Sequence, residues 1–293
     1  MRPAAPDPVR TGAREPAVKK SAGPPSTASS ISRSVAQTVA GLRERAPLVQ
    51  CVTNFVSMDI AANVLNAVGA SPAMVHDARE SGDFARIASA VAINIGTPSP
   101  SWVAGMEAAA SVAHEAGVPW VLDPVAVGAT SYRREIVAGL LHHRPTVVRG
   151  NASEILALAT SVASGRGVDS DTDSTSAIEA AVGLATSLGT TIVVSGATDV
   201  VTDGERVVLV HGGDPRLPLI TALGCSATAL VAACCAVTDD PLLASVTAMS
   251  MLAAAGEAAG ALSAGPGSLR MHLLDELASL DPGAVAVDRI EER

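Results

Sequence analysis

The tripeptide at residues 224–226 combines a turn-forming glycine, a thiol and the start of a stretch of small residues that runs to Val237. This stretch is predicted to be a helix, so its first N–H groups and its positive dipole end would bind an anion such as a phosphoryl group. A thiol at such a terminus has a lowered pKa, and Cys225 would then act as a base toward a substrate hydroxyl. The alternative is a cysteine that only packs, as expected for Cys234 and Cys235.

Polar residues or glycines follow five other apolar, strand-like segments. In an open parallel sheet, ligands bind beyond the carboxyl ends of the strands. Each pair alone is an ordinary turn signal, because turns after strands favour Asn, Asp and Gly. Their recurrence at one edge of one sheet predicts a functional site at that edge. The polar segments that follow the five apolar ones are Thr53-Asn54, Asn94-Ile95-Gly96, Asp123-Pro124, Arg149-Gly150-Asn151 and Ser195-Gly196.

Three charged residues stand out in or near these segments. Asp123 and Glu154 are the carboxylates best placed for Mg²⁺, which is typically held by one or two carboxylates together with phosphate and water oxygens. A strand-end turn and a helix cap are their ordinary structural roles. Arg149 follows a β-branched run and precedes a glycine, which favours bidentate contact with phosphate, although a salt bridge also explains it. Met74 would ordinarily be a core residue.

Short apolar segments alternate with longer alanine-rich segments from about Val35 onward. The alternation predicts an α/β protein whose mostly parallel sheet has right-handed crossovers and helices on both faces. The predicted strands are Leu48–Val52, Val91–Ile95, Trp120–Leu122, Thr146–Val148 and Thr191–Val194, with a hairpin from Asp199 to Val210. The predicted helices are Asp59–Ala67, Pro100–Ala116, Arg133–His142, Ser176–Leu188, Ser226–Val237, Pro241–Ala261 and Leu269–Leu280.

One folded domain, residues 33–293, is predicted after a disordered tail, residues 1–32, that is rich in Pro, Ala and Ser. Residues 161–174 are predicted to form a polar loop and residues 288–293 a charged end, and neither separates two cores. A secretory signal is not expected, because the first residues lack an apolar segment. The uncharged stretch 217–238 contains a proline and a glycine, which favours a buried helix over a membrane span.

The composition excludes several classes of function. A net charge of −9 over 293 residues, with only two Phe, two Trp and one Tyr, argues against nucleic-acid binding. The only lysines are Lys19 and Lys20, so the predicted domain has none for a Walker A loop or a Schiff base. The four cysteines and six histidines lack zinc-ligand spacing, which favours a protein of the reducing cytosol with neither structural zinc nor disulfides.

Several longer runs occur in an order that resembles the hydroxyethylthiazole kinases of thiamine salvage. The resemblance spans roughly residues 35–280 and implies a three-layer α/β/α ribokinase-like fold. It also implies a homotrimer with active sites at subunit interfaces and Mg²⁺-dependent transfer of the ATP γ-phosphoryl group to 4-methyl-5-(2-hydroxyethyl)thiazole. The runs are PLVQCVTNFVSMDIAANVLNAVGASPAMV (47–75), INIGT (93–97), VLDPVAVGAT (121–130), VVRGNASEI (147–155) and the glycine-cysteine turn near 224.

On the substrate side, the resemblance assigns roles to four positions. Met74 resembles the family's thiazole-contacting methionine, and Asn54 belongs to the same pocket wall. Ala222 stands where the turn approaches the substrate. Cys225 resembles the cysteine placed at the base position.

On the nucleotide side, Arg149 and Ser195 resemble the ATP-contacting arginine and hydroxyl residue of the family. Asp123 and Glu154 resemble its acidic Mg²⁺ and phosphate pair, and Gly224 belongs to the turn that meets the ATP. A kinase of this kind needs no lysine if arginine, metal and helix N-terminus carry the phosphoryl charge.

The chain departs from the family pattern at several positions. Gln50 stands where His is common, Ala126 where Gly is common, and Ala197 where Glu is common. Ala222 and Leu223 replace small residues of the turn, and the methyl group of Ala222 is expected to narrow the anion site or to disfavour a required backbone angle. These departures predict an altered catalytic efficiency or substrate choice.

Three alternatives remain at the level of sequence. A related kinase of a pyrimidine alcohol would share the nucleotide half, although the segments around Asn54 and Met74 favour thiazole. A dinucleotide oxidoreductase would need G-x-G-x-x-G after the first strand, where this chain reads VTNFV (52–56). A catalytically weak thiazole-binding relative is the third, and the change at residues 222–223 is its main support.

Overall fold

A computed structural model describes residues 30–163 and 174–293 of the chain. Its helices are α1 (Ser30–Arg45), α2 (Met58–Ala67), α3 (Ser81–Ile87), α4 (Pro100–Ala116), α5 (Ser131–Leu141), α6 (Ala152–Ala163), α7 (Ser174–Leu188), α8 (Leu223–Cys235), α9 (Pro241–Leu262) and α10 (Pro266–Ser279). Its strands are β1 (Leu48–Val52), β2 (Ser71–Ala73), β3 (Ala90–Asn94), β4 (Trp120–Asp123), β5 (Val147–Asn151), β6 (Thr191–Ser195), β7 (Asp199–Thr202), β8 (Val207–Val210) and β9 (Ile290–Glu292).

The strands form one sheet in the order β2-β1-β3-β4-β5-β6-β7-β8-β9. The first six strands in this order are parallel, and β7, β8 and β9 are antiparallel to their neighbours. A parallel strand must be followed by a crossover, and every crossover of this sheet except the one between β2 and β3 contains a helix predicted from the alternating pattern. The expected α/β class with a mostly parallel sheet is therefore confirmed.

Apolar side chains cover both faces of the sheet. One core contains residues of α1, α2, α8, α9 and α10, and the other contains residues of α3 to α7. The helices thus form two layers around a central sheet, which confirms the expected α/β/α arrangement. The helix α9 is apolar and long enough to span a membrane, but 78% of its apolar window is buried inside the protein, so it is a core helix.

Three boundaries differ from the predictions. The predicted tail ends earlier, because α1 begins at Ser30 and buries Val35, Val39 and Leu42, whose spacing places them on one helix face. Residues 1–29 lie outside the described residues. In the predicted polar loop 161–174, α6 continues to Ala163 and α7 begins at Ser174, and only residues 164–173 lie outside the described chain.

The charged end contains the short strand β9, which pairs with the exposed edge of β8. The pattern also missed β2, α3 and α6. The helix predicted at Ser226 begins three residues earlier, at Leu223. The glycine-cysteine turn therefore lies within the first turn of α8.

Three alanines of the described chain adopt left-handed backbone conformations that favour glycine. One of them, Ala46, precedes β1, and the other two lie beside segments that carry candidate site residues. Ala126, in the loop after β4, has φ 54°, and Ala222, at the N-cap of α8, has φ 62°. A Cβ in this region meets the following carbonyl oxygen at a cost of about 1–2 kcal/mol. Ala126 and Ala222 therefore place part of the backbone strain next to candidate site residues, while Arg144 and Asp288 have positive φ elsewhere in the fold.

We expect Ala126→Gly and Ala222→Gly to raise the free energy of unfolding by up to about 1 kcal/mol, measured by urea denaturation. This gain in the free energy of unfolding is smaller than the strain energy of about 1–2 kcal/mol, because glycine also increases the conformational entropy of the unfolded chain. The control is Ala138→Gly on the exposed face of α5, which should lower the same quantity by about 0.5–1 kcal/mol. Equal losses in all three variants would show that the two alanines are unstrained.

Candidate functional site

The carboxyl ends of the parallel strands bring the polar segments together at one edge of the sheet. Asn94, the last residue of β3, pairs in register with Asp123, the last residue of β4. Asn151 and Ser195 pair in the same way at the ends of β5 and β6. The register explains why residues far apart in the chain meet here.

A buried chain of hydrogen bonds joins the cysteine of α8 to the carboxylate of β4. Asn54 Nδ2 donates to Cys225 Sγ (3.3 Å) and to Asn94 Oδ1 (2.7 Å). Asn94 Nδ2 then donates to Asp123 Oδ2 (2.6 Å). Each amide uses its oxygen and nitrogen on different neighbours, so the contacts fix the orientation of both amides. The structure thus places the candidate base and the candidate metal ligand in one network.

Asp123 is 1% exposed, and burial raises the pKa of its carboxyl group to about 6. Hydrogen bonds from Thr228 Oγ1 (2.8 Å) and Asn94, and the positive charge of Arg149, partly offset this effect. The distance between Arg149 Nη1 and Asp123 Oδ2 is 4.0 Å. Asp123 is therefore a carboxylate that the fold holds in a site unfavourable to its charge, which is common at functional sites.

Arg149 is buried between β6 and the first turn of α8. Its Nη2 donates to Ser195 Oγ (2.8 Å), and its Nε is buried without a partner among the described residues. A Cβ added at Gly224 would lie 2.9 Å from Nη1, so the glycine makes room for the guanidinium. The arrangement brings Arg149, Ser195 and Gly224 together, as the sequence predicts. An unpartnered buried donor is unusual, and an anion in this site would supply an acceptor.

Glu154, in the first turn of α6, connects two loops of the site. Its Oε1 accepts from Ala126 N (2.9 Å) and its Oε2 from Asn151 N (2.9 Å), while Asn151 Oδ1 accepts from Glu154 N (3.0 Å). The reciprocal bonds with Asn151 form a capping arrangement, so the helix-cap role considered for Glu154 is present. The same carboxylate holds the loop after β4 in the strained conformation at Ala126.

The carboxylates near the site fit a magnesium ion bound together with phosphate. The charge of Glu154 adds to the effect of burial in raising the pKa of Asp123. Among the described residues, no hydrogen bond reaches Asp123 Oδ1, and no cluster of three or more His, Cys, Asp or Glu residues could hold a metal. Mg²⁺ usually takes one or two carboxylates and completes its coordination with water and phosphate oxygens, so a pair suffices.

The pKa of the Cys225 thiol is shifted in the direction opposite to the predicted one. The sequence predicts a pKa lowered by the helix N-terminus, but burial and the charge of Asp123 raise the pKa of this thiol. The hydrogen bonds from Asn54 and Asn94 and the charge of Arg149 act in the opposite direction without reversing the shift. The thiol is therefore protonated at neutral pH in the ligand-free protein.

Met74 follows the edge strand β2 and packs, half-buried, against the core on the α8 side of the sheet. Its carbonyl oxygen is 3.4 Å from His76 Nδ1, and the His76 ring stacks on Trp102 at 3.9 Å. Trp102 Nε1 donates to the carbonyl oxygen of Thr53 (2.7 Å), next to Asn54 in the chain. Met74 therefore lies outside the hydrogen-bond network, on the side of the site occupied by β1 and β2.

Sequence reasoning assigned no role to three polar residues at this edge of the sheet. Asn94 was present in a strand-end segment, but its bridging contacts depend on the register with β4. Thr228 lies one turn after Cys225 on α8, and that spacing is the only signal for it. Asp199 accepts from Gly196 N (2.9 Å), and burial raises the pKa of its carboxyl group to about 6. Asp199 thus supplies a carboxyl group two residues after Ala197, which stands where Glu is common in the family that the sequence resembles.

Comparisons with known proteins agree with this geometry. Residues 39–283 match the Hydroxyethylthiazole kinase family. A hydroxyethylthiazole kinase of Cereibacter sphaeroides is 55% identical over 244 residues, which cover 83% of this chain and 93% of the relative. One of Rhizobium rhizogenes is 55% identical over 245 residues, covering 83% and 91%.

Solved structures show the same relationship. The hydroxyethylthiazole kinase protein of Pyrococcus horikoshii OT3 superposes with a TM-score of 0.83 at 35% identity, covering 89% of this chain and 99% of that chain. A Staphylococcus aureus pyridoxal kinase in complex with AMP-PCP superposes with a TM-score of 0.56 at 15% identity, over 84% of this chain and 97% of the other, and shares the ribokinase-like fold alone. From the extent of these matches, the chain belongs to the hydroxyethylthiazole kinase family and is an enzyme of that family of kinases.

Proposed function

We propose that the protein transfers the γ-phosphoryl group of ATP to the hydroxyl group of 4-methyl-5-(2-hydroxyethyl)thiazole, in a reaction that requires Mg²⁺. The product is the thiazole phosphate used to make thiamine phosphate. The observation that carries the proposal is the network that joins Cys225, at the start of a helix, to Asp123 through two buried amides. An alcohol at the thiol and a phosphoryl group at the helix would then be adjacent.

The residues around the N-terminus of α8 would hold the transferred phosphoryl group. The first hydrogen bond of the helix runs from Ser226 N to the Ala222 carbonyl (3.0 Å), so the N–H groups of Gly224 and Cys225 have no intrahelical acceptor. Arg149 adds a fixed positive charge whose orientation Ser195 sets. These groups neutralise the charge that spreads over the phosphoryl oxygens in the transition state, with no lysine needed.

Asp123 and Glu154 would hold the Mg²⁺ ion, which neutralises phosphate charge and orients the phosphates when it is bound. Asn94 and Thr228 keep Asp123 Oδ2 occupied, which leaves Oδ1 as the available ligand atom. Glu154 contributes charge from a fixed position because its two oxygens are tied to backbone N–H groups. ATP and the metal would then bind on the side of Arg149 and Ser195.

Cys225 would accept the proton that the thiazole alcohol loses as its oxygen bonds to phosphorus. The Asn54 N–H group at Sγ stabilises the thiolate, and Met74 and Asn54 would bound the thiazole ring. A thiol with a raised pKa is a strong base once ionised but is seldom ionised at neutral pH, so the step should be faster at higher pH. We also propose a homotrimer in the cytoplasm, with the sites at its interfaces.

The first test is ADP release from Mg-ATP with and without hydroxyethylthiazole. We expect thiazole-dependent release, and Cys225→Ala should lower kcat by about 10²-fold because the proton acceptor is lost. Wild-type kcat should rise by up to about tenfold per pH unit above roughly pH 7, and this rise should disappear in Cys225→Ser. The serine variant preserves the size of the side chain and so serves as the control for packing.

Four results would contradict these expectations in different ways. A Cys225→Ser enzyme with the wild-type pH profile would exclude the base role. Recovery of activity in Ala222→Gly from an inactive wild type would show that the methyl group disables the anion site. Thiazole binding without turnover in every variant would identify a binding protein, and turnover with another alcohol would identify a different substrate.

A second prediction concerns the ionisation of Asp123 in the metal-free protein. Its pKa is higher in the folded than in the unfolded state, so ionisation opposes folding from about pH 4 upward and fully above about pH 6. Asp123→Asn should therefore raise the free energy of unfolding by roughly 1–3 kcal/mol near pH 8 and by little near pH 4, while activity is lost. The exposed Asp275→Asn is the control, and equal pH profiles of wild type and Asp123→Asn would contradict the prediction.

A third prediction tests the space that Gly224 leaves for Arg149. A methyl group at 224 would displace the guanidinium, so Gly224→Ala should raise the KM for ATP by about tenfold or more, measured by steady-state kinetics. Gly183→Ala in α7 is the matched control, since a Cβ there meets nothing within 4 Å and should only stabilise the helix. An unchanged KM in Gly224→Ala would exclude Arg149 from the ATP site.

A further inference from the structure

The guanidinium of Arg133, in the first turn of α5, binds three backbone carbonyl groups on two different loops. Nη1 donates to Ile95 O and to Val125 O, and Nη2 donates to Gly96 O, each at 2.8 Å. Charged donors form stronger hydrogen bonds than neutral ones, and the planar fork of arginine matches several acceptors at once. The side chain therefore joins the loop after β3 to the loop after β4.

Both loops carry residues of the site. The loop after β3 begins at Asn94, which bridges Asn54 on the alcohol side and Asp123 on the metal side. The loop after β4 begins at Asp123 and contains Ala126, whose N–H group donates to Glu154. A shift of one loop against the other would change the hydrogen bond between Asn94 and Asp123. Beyond Asn94 and Asp123, which end the two strands, Arg133 joins the two loops through hydrogen bonds to the carbonyl groups of both.

The electrostatic setting of Arg133 distinguishes it from its neighbour Arg134. Arg133 is half-buried, and none of the ion pairs found within residues 30–163 and 174–293 includes it. Arg134 is exposed and makes one longer bond, from Nη1 to Gly128 O (3.1 Å). An exposed arginine such as Arg134 contributes little to stability. A half-buried arginine with three short hydrogen bonds restrains the groups to which it donates.

We propose that Arg133 is a positioning residue of the kinase reaction, which holds the alcohol-side loop and the metal-side loop at a fixed separation. The inference rests on the proposed function, because it concerns the same site. Arg133 itself makes no direct contact with the network and acts through the carbonyl groups of Ile95, Gly96 and Val125. A small displacement of reacting groups is enough to lower a rate strongly, so the loss of this contact should appear in kcat.

The test compares Arg133→Met, Arg133→Lys and Arg134→Met in steady-state kinetics. Methionine keeps the apolar stem and removes the donors, whereas lysine keeps the charge without the fork. We expect Arg133→Met to lower kcat by about 10²-fold with both KM values within about threefold, Arg133→Lys to recover part of the loss, and Arg134→Met to stay within about twofold. Added guanidinium ion should raise the activity of Arg133→Ala, which has room for it.

A wild-type kcat in Arg133→Met would overturn the inference. So would a loss of activity in Arg133→Met that equals the unfolded fraction of this variant, together with no rescue of Arg133→Ala by guanidinium. Amide hydrogen exchange gives a readout that needs no activity. Exchange at residues 95, 96, 126 and 127 should be about tenfold faster in Arg133→Met than in Arg134→Met. Unchanged exchange would overturn the inference even in an active enzyme. If the wild type phosphorylates no thiazole, the proposed function fails and the exchange result alone decides the role of Arg133.

Discussion

The burial of one carboxylate, that of Asp123, constrains the rest of the site. A buried carboxylate needs donors, and the donors come from a neighbouring strand through Asn94 and from α8 through Thr228. The positive charge that offsets it comes from β5 through Arg149, and Arg149 fits only because residue 224 has no side chain. The positions of β3, β4, β5 and α8 are thus linked by the electrostatic requirements of a single group.

The same site also contains several groups whose conformation or charge opposes folding. Asp123 and Asp199 are held where burial raises their pKa values, and Ala126 and Ala222 hold left-handed backbone conformations. Each of these features opposes folding by a small amount, and the two extensive cores on either side of the sheet compensate for them. Strain of this kind persists only where the surrounding structure determines the conformation completely.

Much of the fold follows from local patterns in the sequence. The long apolar segments with β-branched residues form strands within one residue of the predicted bounds, except that β5 ends three residues later than predicted. The agreement follows because a fully buried parallel strand has little other composition available. The strands β2 and β9 were missed because they are three residues long, and their sequences, Ser-Pro-Ala and Ile-Glu-Glu, form strands only by pairing with an existing edge. Helix α6 follows β5 directly, because Asn151 both ends the strand and caps the helix.

The site was predictable to the extent that it depends on strand ends. Arg149, Asp123, Ser195 and Asn54 were found because parallel strands end at a common edge. The bridging role of Asn94 and the loop contacts of Arg133 depend on register and on an incoming helix, which no local pattern encodes. The direction of the Cys225 pKa shift was wrong for a related reason, since the helix N-terminus is visible in the sequence but the burial and the nearby carboxylate are not.

The two tryptophans occupy opposite ends of the sheet, which makes the protein a natural spectroscopic reporter. Trp120 begins β4 in the core, while Trp102 lies beside Thr53, with the His76 imidazole stacked on its ring and Phe55 at 4.5 Å. The stacked His76 ring is part of the surroundings of the Trp102 indole, whereas Trp120 has no ring contact of this kind among the described residues. Changes in the segment that carries Met74 can therefore be followed optically, without a label.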